Sequence, residues 1–215
     1  MRSEKIALGM VLLSFLMAIY FYPKVPEKMI SHWNAQGLPD GFAAKFIGIF
    51  AFPFISLFLL VLFRLLPKID PLRENIEKFK HYYNEFVLVM VYFIFYLQVL
   101  SLLQNFGIAF NMVQFMLPAF GLVFYYVGVL VEHSKRNWFI GIRTPWTMSS
   151  DEVWAKTHKI GGKLYKFSAL ITILGFFFVN YAILFILAPI LFTSIYIILY
   201  SYFEYQKLYK PIKKN

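Results

Sequence analysis

The chain has 215 residues, 60% of them hydrophobic and 15% charged, with a formal net charge of +10. A soluble domain of this length carries about 25% charged and about 45–50% apolar residues, so the composition excludes an ordinary globular domain and indicates a polytopic membrane protein. There is no cysteine, which excludes disulfides, thiol catalysis and thiolate metal sites.

The first apolar run, residues 6–22, follows basic Arg2 and Lys5 and ends in the bulky Ile19-Tyr20-Phe21-Tyr22. A signal peptide has a shorter apolar stretch and a small-x-small cleavage site, so this run is expected to be a retained first span. The loop 23–45 is dense in turn formers: Pro23, Pro26, Asn34 with Gly37, then Pro39-Asp40-Gly41, where a tight turn is expected. Such a loop is ordered, not a tether. Span two covers residues 46–66, with Pro53 inside and Arg64 near enough to one end to snorkel.

Asp70-Pro71 reads as an N-cap followed by proline at the first helical position. Leu72, Ile76, Phe79, Tyr83 and Phe86 then recur at helical spacing, which predicts one helix over 71–103. That helix would be roughly 50 Å long, so about a third of it should protrude from a core about 30 Å thick. Its membrane part, 86–103, is span three. A short uncharged connection over 104–111 leads to span four, 112–131, with Pro118 inside.

Residues 137–163 are the chemically richest stretch. Ser149-x-x-Glu152 has the form of a capping box and should start a short amphipathic helix, broken at Gly161-Gly162 before span five. Spans five and six are expected over 164–180 and 181–203. The fold class is therefore an all-α, six-span bundle. It divides into a two-span unit, 1–66, with an ordered extracytoplasmic loop; a central hairpin with a cytoplasmic helix extension, 67–131; and a last unit, 132–215, with two spans.

With six alternating spans, only Lys24, Lys28 and Lys45 fall on one side, and the other eighteen basic residues, including tail residues Lys207, Lys210, Lys213 and Lys214, on the other. The positive-inside rule then places both termini in the cytoplasm, and it explains the basic excess without a nucleic-acid partner. The loop 23–45 is outside and 137–163 inside. A metal site combining His32 and Asp40 with His158 and Asp151 is thereby excluded unless a loop is re-entrant. The inner residues Glu132, His133, Asp151, Glu152 and His158 are ligand types without the HExxH spacing, so no metal or cofactor is assigned.

Two readings of the inner segment stay open. In one, Trp154 and His158, four apart and hence on one helix face, belong to an amphipathic helix lying at the headgroup layer. In the other, Arg143, Trp154, Thr157 and His158 line a pocket open to the cytoplasm. Arg143 either holds an anion bidentately or pins its own loop to carbonyl groups. At the outer loop, His32 either contacts a ligand or bonds within its own turn. The spans carry almost no ionisable groups, which counts against coupled transport. No Gly-x-Ser-x-Gly or phosphate-binding loop is present.

The inner segment resembles the SdpI-type immunity protein family, through Asn137, Gly141, Arg143, Thr144, Pro145 and Thr147, then Trp154, Thr157, His158 and Gly162-Lys163. The outer loop is similar to the uncharacterised membrane domain that often precedes it, through Pro23, Pro26, His32, Asn34, Gly37, Pro39, Asp40, Gly41 and Lys45. Where that pattern has a second proline two residues before the histidine, this chain has Ile30. The resemblance implies a six-span integral membrane protein. The family's founding member protects a bacterium from its own secreted killing peptide and sequesters a cytoplasmic repressor at the membrane. On this resemblance the expected function is non-enzymatic immunity or signalling in the cell membrane. A toxin peptide would be met outside through His32, Asn34 and Asp40, and a regulator protein inside through Asn137, Arg143, Trp154, Thr157 and His158. No catalytic residue carries over. The alternatives are a membrane enzyme acting on a lipid or peptide at the inner interface and, less favoured, a small-molecule transporter.

Overall fold

The computed structural model describes residues 2–209; the tail residues Lys210, Lys213 and Lys214 lie outside the described residues. Eight α-helices and one β-hairpin follow one another: α1 (Arg2–Phe21), β1 (Lys28–Trp33), β2 (Pro39–Ala44), α2 (Lys45–Ile69), α3 (Arg73–Glu77), α4 (Lys80–Asn105), α5 (Met112–His133), α6 (Pro145–Ser149), α7 (Asp151–Leu174) and α8 (Ala182–Tyr209). Among the described residues, six helices (α1, α2, α4, α5, α7 and α8) are long and apolar enough to cross a membrane. The protein is a multi-pass membrane helix bundle, as the composition indicates.

Helix α4 packs on α1, α2 and α5, while α7 packs on α5 and α8. Ala7, Val11, Leu60, Val87 and Val91 fill the first of these interfaces, and Val113, Leu117, Ala182 and Ile186 form a separate cluster between α5 and α8. The large apolar side chains left exposed, such as Leu16, Phe58, Phe167, Leu191 and Phe192, are what a surrounding bilayer would cover.

Three local expectations are corrected. First, the helix over 71–103 is not continuous: α3 ends at Glu77 and α4 begins at Lys80. Asp70 does bond the backbone N–H of Leu72, at 2.6 Å, but the helix starts later, at Arg73. At the break, Ile76 and Phe79 turn into the core, where they are 1% and 2% exposed.

Second, Gly161-Gly162 does not break a helix. Helix α7 runs through both, and its 24 residues give about 36 Å, enough to cross the hydrocarbon alone. The glycines cost helix propensity, about 1 kcal/mol each relative to alanine, but they permit contact. A methyl group on Gly162 would lie 2.8 Å from the Gly128 carbonyl oxygen and 2.6 Å from Cβ of Glu132, so α5 and α7 meet backbone to backbone. The expected capping box is displaced as well. Ser150 caps α7, accepting from Val153 N–H, and the reciprocal box is formed by Thr144 and Thr147 at the start of α6.

Third, the outer loop is a two-stranded antiparallel sheet. Its turn is at Asn34–Leu38, not at Pro39-Asp40-Gly41, which lies in β2. Gly37 takes φ +76° there, a conformation that glycine adopts without strain. Alternation in KMISHW and PDGFAA is too short and irregular to announce strands.

Two of the prolines inside helices are accommodated by hydroxyl groups. Pro67 and Pro189 each lack the N–H that would bond the carbonyl four residues earlier. The Tyr83 hydroxyl donates to the Phe63 carbonyl at 2.7 Å, and the Thr172 hydroxyl reaches the Phe185 carbonyl at 3.0 Å. Neighbouring helices thus satisfy groups that lipid cannot.

Candidate functional site

The two polar segments lie at opposite ends of the bundle. Asn111 donates to the Gln36 carbonyl at 2.6 Å, and Gln114 to the Phe176 carbonyl at 2.9 Å, so the hairpin, the 106–111 connection and the 175–181 connection share one end. Asp70 accepts from Trp138 N–H at 2.8 Å and Asn75 donates to the Arg136 carbonyl at 2.8 Å, which joins the α2–α4 connection to the 134–144 segment at the other end.

At the hairpin end, the Asn105 side chain bonds both backbone groups of Ile30, at 2.8 and 3.2 Å, and Trp33 Nε1 donates to Gln104. Ile30 stands where the related pattern has proline, and its N–H is used in this bond, which a proline could not make. Asn34 accepts from Gln36 and Leu38 N–H, both at 3.0 Å, and so builds the turn. The register slips between Ile30 and Trp33, an irregularity that re-aims a side chain. His32 points into solvent, 71% exposed, with Nδ1 2.5 Å from Asp40 Oδ1. Leu38 and Phe42 beside them are also exposed.

At the other end the motif residues face inward. Asn137 is fully buried. Its amide donates to the carbonyls of Lys135 and Ile140, each at 2.8 Å, and accepts from Phe139 and Ile140 N–H at 3.0 and 2.6 Å. That satisfies the side chain and shapes the loop. Gly141, at φ +114°, brings the chain against the Trp154–His158 pair; a methyl group there would lie 2.6 Å from His158 Nε2. Trp154 and His158 stack with ring centroids 3.9 Å apart. Trp154 Nε1 donates to the Ser134 carbonyl at 3.0 Å. His158 Nδ1 bonds the Trp154 carbonyl at 2.8 Å, and Nε2 accepts from Ile142 N–H at 2.9 Å. This pattern describes a neutral ring with the proton on Nδ1. Both nitrogens are spent. Thr157 is also fully buried, and its hydroxyl has no partner among the described residues.

Trp154, Thr157 and His158 therefore do not line an open pocket. Arg143 stands apart from them: it is exposed and donates to the Trp138 carbonyl of its own loop. It borders a cavity of about 470 Å³ whose wall includes Trp146, Tyr165 and Ile198. Asp70, Asn75 and Thr144 were not legible as members of this site. Thr144 bonds Thr147 and, across to α8, the Ser201 hydroxyl at 3.0 Å. The only sequence signals for them were Asp70-Pro71, read as a helix cap, and Thr144 within the family motif. Among the described residues no three His, Asp or Glu side chains come together as a metal site would require.

Comparison with known proteins agrees with the motifs. Residues 134–201 match the SdpI/YfhL protein family, and residues 9–57 match a domain of unknown function, DUF1648. The chain is 27% identical to "Immunity protein SdpI" of Bacillus subtilis (strain 168) over 209 residues, covering 97% of this chain and 98% of that protein. No solved structure matches it. The two matched segments stand in the order that the motifs suggest, and the chain is similar to an immunity protein along almost its whole length.

Proposed function

We propose that this protein confers immunity on the cell that carries it, acting against a peptide that reaches the membrane from outside. The observation that supports this most is the near end-to-end match to an immunity protein. A second is the hairpin, held rigidly by Asn105, Gln104 and Asn111, with His32, Asp40, Leu38 and Phe42 turned outward. The distribution of basic residues supports a reading in which that end is outside and both termini are in the cytoplasm. An ordered, partly apolar surface suits a peptide partner better than a mobile loop would, because less ordering entropy is lost on binding.

On the inner side, the contact residues reduce to Arg143 and the neighbouring Trp146, where a cytoplasmic regulator would dock; Asn137, Trp154, Thr157 and His158 position that surface from beneath. Arg143, with only its own loop carbonyl engaged, retains donors for a partner's carboxylate. The enzymatic alternative loses its best candidate, because His158 has neither nitrogen free. Expression of the chain in a strain sensitive to the family's secreted killing peptide tests the proposal. Survival above that of the empty strain is expected, and equal killing with the protein confirmed in the membrane would overturn it.

A further inference from the structure

A cavity of about 800 Å³ opens among α1, α2, α3 and α4 at the end away from the hairpin. Its lining falls entirely outside residues 9–57 and 134–201, the segments matched by the two families. Ala7, Leu60, Phe63 and Val87 give it an apolar interior. Arg64, Lys68 and Arg73 stand exposed at its edge. Val87 lies two helical turns beyond Lys80, where α4 begins. The cavity thus extends about 10 Å along the helix axis, from headgroup level into the hydrocarbon.

Charge defines what fits. The lining holds Arg64, Lys68, Arg73 and Lys80 against Glu4, Glu74 and Glu77, a formal sum of +1. Glu77 is paired with Lys80 at 2.9 Å. Among the described residues, no ion pair engages Lys68 or Arg73. A single phosphodiester complements that sum, and basic pockets between membrane helices on the cytoplasmic side are suited to phospholipid headgroups. The volume is within the range of about 300–1,000 Å³ usual for small-molecule sites.

We propose that this cavity binds one anionic phospholipid from the surrounding leaflet. Its phosphate sits between Arg64, Lys68 and Arg73, and the start of its chains lies against Leu60, Phe63 and Val87. Charge-assisted bonds from the guanidinium groups hold the phosphate. The lipid fills the space that separates α3 from α1 and ties the break between α3 and α4 to the membrane surface.

Native mass spectrometry of the full chain in detergent, titrated with phosphatidylglycerol or phosphatidylcholine, tests this. One phosphatidylglycerol should bind in preference to phosphatidylcholine. Lys68→Gln/Arg73→Gln should weaken it about thirtyfold, from roughly 1 kcal/mol for each of the two basic residues near a lipid surface. The single variant Lys68→Gln should give an intermediate loss. Lys159→Gln/Lys163→Gln removes the same charge from exposed positions of α7 and should change nothing. Equal affinity for the two lipids, or equal loss in both double variants, would overturn the proposal. Displacement of the lipid by millimolar inorganic phosphate would also overturn it, by showing a site for a soluble anion.

Discussion

At the hairpin end, His32 and Asp40 stand in solvent and pair with each other, while Asn34 and Gly37 close the turn that carries them. At the opposite end, Asn137, Thr157 and His158 are buried to within 1% of full enclosure, and only Arg143 of the expected contact residues faces out. One segment spends its motif on presenting side chains, the other on folding a loop between membrane helices. The difference follows from the surroundings. The hairpin closes its own backbone bonds across two strands, whereas the irregular 134–144 stretch has no such ladder and must satisfy its buried carbonyl and N–H groups with side chains.

Substitutions that break this contrast should rank by burial. Asn137→Ala should be the most damaging, because it removes the partner of two N–H groups and two carbonyls, the Ile140 pair in buried bonds; a loss of about 3 kcal/mol is expected. Unfolding in mixed detergent micelles measures it. His158→Phe keeps a ring against Trp154 but removes the acceptor for Ile142 N–H, for a loss of about 2 kcal/mol; an unchanged midpoint would show that this bond does not form. Gly162→Ala should cost about 1–2 kcal/mol by forcing α5 from α7, read in the same assay. Smallest should be Arg143→Ala and His32→Ala, each within about 1 kcal/mol of the parent, because both side chains are exposed.

The sequence carried the spans, their order and the family likeness because these rest on long apolar runs and on motif spacing, both local signals. It also carried the helical pairing of Trp154 with His158, which four-residue spacing guarantees. It did not carry the continuity of α7, because Gly161-Gly162 signals a break in water but close packing in a bilayer. Nor did it carry the hairpin. The strand residues there are few, and their register is held by Asn105, more than 70 positions away. The inward facing of Asn137, Thr157 and His158 depends on partners from distant segments, so polar chemistry alone read them as contact residues.

Survival under challenge by a secreted killing peptide, scored together with membrane abundance, is the most direct test of the proposed division between exposed and buried motif residues. The measurement compares the parent chain with His32→Ala, Arg143→Ala and Asn137→Ala. The account predicts lost protection at full abundance for the first two. For Asn137→Ala it predicts lost protection in step with lost abundance. Undiminished function of both exposed-site variants at equal abundance, or an inactive but fully abundant Asn137→Ala, would contradict it.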